Sequence, residues 1–200
     1  MAASPIGLVP PTRGFYVNDS NSSLDEAQST IDTINSILEK ANITGRVELR
    51  YNKVVDSSPS SELYHEIRGI LDPAGYGRVA IFAHGQGADI VYDVWEALKS
   101  NLDELTLQRV AILSLGGTSL IEGAVHFTYN NDATAKSGRA ISGRTKGNDF
   151  ILGSLFLDCD DHSIKTYLND QSVRGIIGFV MKPVQLKGVS SPVSIYTEMI

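Results

Sequence analysis

The sequence predicts an α/β fold, a mainly parallel sheet flanked by helices in one domain. Three observations carry that expectation. Short apolar runs alternate along the chain with stripes of apolar residues at three- and four-residue steps, the pattern of strands interleaved with helices. One run, Val79-Ala80-Ile81-Phe82-Ala83, is apolar at every position, as a strand covered on both faces must be. Two hundred residues at 42% apolar content suffice for one substantial core but not for two.

Taken in order, residues 1–13 read as an N-terminal tail, 14–182 as the domain, and 183–200 as an edge strand or docked tail. Gly14-Phe15-Tyr16-Val17 forms a first strand, stopped by the turn and capping cluster Asn18-Asp19-Ser20-Asn21-Ser22-Ser23. Leu24, Ala27, Ile31, Ile34 and Leu38 then mark one face of a helix that ends near Gly45. Residues 46–51 alternate as a strand. Ser60 and Ser61 cap a second helix carrying Leu63, Ile67, Ile70 and Leu71, closed by Pro73, Gly75 and Gly77. The central strand 79–83 runs through His84-Gly85-Gln86-Gly87 into a helix marked by Ala88, Val91, Val94, Trp95 and Leu98. Further strands are expected at 110–115, 125–129 and 150–157. Residues 133–148 hold Lys136, Arg139, Arg144 and Lys146, three glycines and no acid, which reads as a mobile basic loop.

Composition narrows the function classes. Seventeen Lys and Arg against 23 Asp and Glu leave a formal charge of −6, without the cationic field that a nucleic-acid backbone calls for. The single cysteine, Cys159, permits no internal disulfide and no thiolate zinc cluster; it lies between Asp158 and Asp160, which disfavour a thiolate. Four histidines show no metal-ligand spacing, so neither a metal nor another cofactor is expected. Pro10 and Pro11 break the apolar N-terminal stretch, which lacks the basic start of a signal peptide, and no run reaches the length of a spanning helix. The expectation is a cytoplasmic protein with no transmembrane segment. The Asn-x-Ser/Thr sequons at Asn18, Asn21 and Asn42 then carry no glycosylation. His65 and His126 read as structural.

The chemistry concentrates at Ala83-His84-Gly85-Gln86-Gly87, a strand entering a helix through a glycine turn flanked by small residues. Later in the chain come Tyr129-Asn130-Asn131-Asp132 at the end of a strand and Asp161-His162-Ser163 opening a helix. Over residues 14–170 this order resembles the small lipase- and esterase-like members of the α/β-hydrolases, whose serine sits on a strained strand-to-helix elbow, followed by an acid and then a histidine. The resemblance implies a compact α/β-hydrolase-like fold, with Gly85 at the nucleophile position but lacking a hydroxyl, Asp132 as the acid and His162 as the histidine. It also implies an oxyanion hole made by the Gln86 N–H and the loop after the first strand. That loop holds Asp19, whose carboxylate would oppose an oxyanion if it points inward. Glycine tolerates the elbow backbone while deleting the nucleophile.

The functional expectation is therefore a catalytically degenerate esterase- or lipase-like protein with a binding or regulatory role, taking a small apolar or ester-like ligand. Three alternatives stand beside it. The chain is an active serine esterase if Gly85 replaces a natural serine or if another hydroxyl such as Ser114 reaches His162. It is a non-covalent hydrolase if His162 activates a water, or it is a binding module that uses the fold only as a scaffold.

Overall fold

The computed structural model describes residues 12–52, 59–71, 77–146, 148–152 and 162–182. Its elements are β1 (Arg13–Val17), α1 (Leu24–Lys40), β2 (Val47–Arg50), α2 (Pro59–Ile70), β3 (Val79–His84), α3 (Gly87–Asn101), α4 (Glu104–Leu107), β4 (Val110–Leu115), β5 (Val125–Tyr129), α5 (Ala133–Ser142), β6 (Asn148–Leu152), α6 (Ile164–Asn169) and α7 (Gln171–Met181). The six strands form one sheet in the order β2-β1-β3-β4-β5-β6, and every pairing is parallel. The strand order reverses between β1 and β3. In open parallel sheets the crevice beyond the carboxyl ends of two such strands is where ligands bind.

Alternation along each strand divides the core in two. Tyr16, Phe82, Leu113 and Phe127 face α1, α6 and α7, whereas Phe15, Ile81 and Ile112 face α2 and α3. Both faces are covered, which is why β3 is apolar from Val79 to Ala83. Helix α1 starts where the sequence places it. The Ser23 side chain accepts from the Glu26 N–H while the Glu26 carboxylate accepts from the Ser23 N–H, a reciprocal cap.

Several boundaries move. Strand β1 begins at Arg13, one residue before the expected Gly14, and Thr12 is already buried. Helix α1 ends at Lys40 and β2 spans only Val47–Arg50. The strand expected at 150–157 begins at Asn148, and its residues beyond Leu152 lie outside the described part, as do Cys159 and the 183–200 segment.

The largest correction concerns the basic stretch 133–148. Residues Ala133–Ser142 are helix α5, started by the Asp132 side chain accepting from the Ala135 N–H at 2.8 Å and stopped at Gly143 with φ +68°. Local caps bound the segment, and tertiary contacts hold it in place. Arg139 is 8% exposed and its guanidinium donates to the Gly117 carbonyl at 2.9 Å, to Asp149 at 2.5 Å and to the Thr128 hydroxyl at 2.6 Å. Gly138 lets the helix approach the β4–β5 connection, where a Cβ would come within 2.4 Å of the Thr118 side chain. A charge that reads as solvated in the sequence is therefore a core contact. Helix α7, which the apolar spacing of Val173, Ile177 and Val180 supports, is a further element, capped by Asp170 and packed on the α1 side.

Candidate active site

The candidate site lies at the carboxyl ends of β1, β3 and β5. Strand β3 ends at His84, Gly85 turns with φ +53°, and Gln86 caps α3 from Gly87 onward. A positive φ is costly for a residue with a Cβ, so glycine suits this turn. The Gly85 carbonyl accepts from the Ala88 and Thr118 amides, each at 3.1 Å, and from the Thr118 hydroxyl at 3.1 Å. The turn is held on both sides.

Asp132 and His162 come together at this end of the sheet. Asp132, fully buried after β5, places Oδ1 at 3.0 Å and Oδ2 at 3.1 Å from His162 Nδ1. Tyr167 of α6 donates its hydroxyl to Asp132 Oδ2 at 2.5 Å and accepts from the Tyr129 N–H at 3.2 Å. The Asp132 carboxylate is thus fixed by a helix N-terminus and a buried phenol as well as by the imidazole. His84 stacks on His162 with ring centroids 4.9 Å apart, and its Nε2–H donates to the His162 carbonyl at 2.8 Å. Tyr167 and His84 carry no motif of their own. Their only trace in the sequence is the three-residue step of α6 that turns Tyr167 and Leu168 inward behind Ile164, and the position of His84 beside the elbow.

The decisive residue is Asp19, which follows β1. Its carboxylate points into the elbow. Oδ1 accepts from the Asn21 N–H at 2.9 Å, and Oδ2 accepts from the Gln86 N–H at 3.2 Å and lies 3.2 Å from His162 Nε2. A Cβ built on Gly85 would stand 1.7 Å from Oδ2, little more than a covalent bond. The Asp19 oxygen therefore occupies the space a side chain at position 85 would need. The sequence left open whether Asp19 points inward; it does, and its carboxylate accepts from the Gln86 N–H that the resemblance assigns to the oxyanion hole. The loop is anchored behind it, since Asn18 Nδ2 donates to the Asp19 carbonyl at 2.6 Å and Asn18 Oδ1 accepts from the Asn52 N–H at 2.8 Å.

Two carboxylates thus clamp one imidazole. Burial works to lower the His162 pKa, but hydrogen bonds and charge from Asp132 and Asp19 outweigh it and push it up to about 9. Burial likewise works to raise Asp19, and its bonds to His162, Asn21 and Gln86 hold it down at about 2. Burial, with the charge on His162 added, drops His84 to about 4, so the stacked ring is neutral. Near pH 7 the cluster is a carboxylate–imidazolium–carboxylate triplet with one negative charge.

The remaining histidines and the alternative hydroxyl fall elsewhere. His126 is completely buried, and its Nε2 accepts from the Ile121 N–H at 2.8 Å. His65 stands on α2. Ser114, also completely buried, belongs to the opposite face of the sheet from His84 and Tyr167. A Cβ at Gly117 would lie 2.1 Å from its hydroxyl and 2.8 Å from Ala88. That face is covered by α3, so Ser114 is not a substitute for the elbow hydroxyl. Among the described residues no helix is long and apolar enough to cross a membrane, and no three His, Cys, Asp or Glu side chains gather as a metal site.

The architecture is α/β-hydrolase-like. Among solved structures the chain is similar to a cutinase-like protein from Cryptococcus sp., with a TM-score of 0.56 at 13% identity over 84% of this chain and 92% of that one. It is also similar to a protein from Xanthomonas campestris pv. campestris assigned to the α/β superfamily of hydrolases, with a TM-score of 0.50 at 10% identity over 84% of this chain and 96% of that one. At such identities the likeness is one of fold. No protein-family model matches the chain, and no curated protein matches it.

Proposed function

We propose that this protein is an esterase- or lipase-like scaffold that has lost serine acyl transfer and keeps a binding or regulatory role, toward a small apolar or ester-like ligand in the cytoplasm. One observation carries the reading. Position 85 offers no hydroxyl, and Asp19 Oδ2 fills the space beside it while holding the Gln86 N–H and facing His162. Serine-type acyl transfer needs a nucleophile whose proton the imidazole can take and an amide free to receive the oxyanion. Here the nucleophile is missing, the amide is engaged, and the imidazole already holds its proton. The Asp132–His162 pair retains the geometry of the machinery without its reactive atom.

The test is reactivity toward fluorophosphonate probes and p-nitrophenyl esters, for which the expected result is no labelling and no turnover above buffer. Gly85→Ser alone remains unlabelled and is destabilised, because the new side chain meets Asp19. Gly85→Ser with Asp19→Gly regains labelling, and adding His162→Ala abolishes it. A wild-type protein that labels stoichiometrically overturns the reading, as does a folded double variant that stays inert.

A further inference from the structure

We propose that Asn35 stands in for a strand at the border of the sheet, and that the edge it closes fits the same edge of a second copy of this chain. Among the described residues the sheet ends at β2. Gly14 lies opposite Val47 in the parallel pairing, and its N–H donates to the Arg46 carbonyl at 3.1 Å. Arg46, Glu48 and Arg50 therefore turn their backbone groups toward β1, whereas Val47 and Leu49 turn theirs outward. An outward row of amides and carbonyls is a template for another strand.

Side chains cover that row. From α1, Asn35 Oδ1 accepts from the Val47 N–H at 2.9 Å and Nδ2 donates to the Val47 carbonyl at 3.3 Å. These are the two bonds that a facing residue of an antiparallel strand exchanges, and a carboxamide can imitate them because it carries donor and acceptor on one planar group, as a peptide does. At the next outward residue Arg50 Nη1 donates to the Leu49 carbonyl at 2.8 Å. An amide supplied from the same chain pays no cost of association, so it holds Val47 against a second copy. None of these residues belongs to the candidate active site.

The charges along β2 select the partner and its register. In antiparallel pairing about a two-fold axis at Leu49, Glu48 of each copy stands opposite Arg50 of the other, Val47 opposite Tyr51, and Leu49 opposite Leu49. Glu48 and Arg50 share the sheet face of Phe15, where the Arg50 guanidinium lies 4.7 Å from the ring centre, and their side chains are 46% and 28% exposed. Val47, Leu49 and Tyr51 belong to the other face, with the core under α1. Opposite charges thus meet on one face and apolar side chains on the other. Moving the axis one residue, to Glu48, sets Glu48 against Glu48 and Arg50 against Arg46, which repel. The favoured pairing uses one patch on both copies and closes on itself as a dimer.

The experiment is sedimentation velocity over a dilution series, with amide hydrogen exchange read at Val47. Wild type is expected to remain a monomer and Asn35→Ala to form a dimer as concentration rises. In dilute Asn35→Ala the Val47 amide is expected to exchange ~2–10-fold faster than in wild type, the worth of one hydrogen bond, and to slow again as the dimer forms. Glu48→Arg added to Asn35→Ala weakens the dimer ~2–30-fold, through one like-charge pair on each side of the axis, and Arg50→Glu added to both restores it. Should Asn35→Ala not fold, Asn35→Gln takes its place, since its amide sits one methylene further out and cannot make both bonds where Asn35 makes them. A folded variant that stays monomeric at every concentration overturns the proposal. So does a dimer indifferent to Glu48→Arg, a Val47 amide that exchanges equally in wild type and dilute variant, or a wild type that associates as strongly as the variant.

Discussion

Replacing Asp132 by Asn tests the clamp on His162 directly. The ring's pKa rises from 6.5 to about 9 in the folded protein, and a gap of that size corresponds to about 3 kcal/mol of stability. Because the folded value lies above the unfolded one, this contribution is fully present below pH 6.5 and fades as pH rises through about 9. Asp132→Asn removes one of two carboxylates that lie 3.0 and 3.2 Å from the ring nitrogens, and a single such neighbour moves a pKa by ~1–3 units. The variant's His162 pKa is therefore expected to fall by that amount, while Asp19 keeps it from falling below the ordinary value. The loss of stability with rising pH then sets in earlier than in wild type. NMR titration of the His162 ring nitrogens measures the first effect, and urea unfolding at a series of pH values between 6 and 10 measures the second. Asparagine keeps an oxygen for the Ala135 N–H, so α5 retains its start. A wild-type pKa at or below the ordinary histidine value, or the same value in both proteins, refutes the reasoning.

Two further outcomes test the rest of the fold. Arg139→Met leaves Asp149 without its partner at 2.5 Å and is expected to cost ~3–5 kcal/mol in urea unfolding, much of it recovered in Arg139→Met/Asp149→Leu; a loss below about 1 kcal/mol would place Arg139 in solvent. In limited tryptic digestion the exposed Lys146 is cut before Arg139, which is buried within α5, and the reverse order would contradict that helix.

Much of this protein was determined by the sequence by itself. Period and punctuation decide the α/β class, since a strand apolar at every residue needs cover on both faces and the Ser23–Glu26 cap starts a helix locally. The resemblance carried by Gly85, Asp132 and His162 implies a shared site, and the structure brings Asp132 and His162 into contact. Tertiary structure decided what the sequence left open or misplaced. Residues 133–142 look like a mobile basic loop because helix propensity and charge are local properties, whereas the partners that order them, Asp149, Thr128 and Gly117, come from other strands and loops. The direction of Asp19 depends on the parallel pairing of β1 with β3, which sets the loop after β1 against the elbow after β3. No spacing along the chain encodes that Asp19 Oδ2 meets the Gln86 N–H, a contact between residues far apart in sequence. Whether a carboxylate blocks an oxyanion hole or fills it is a matter of ångströms, and only the packed sheet determines distances on that scale.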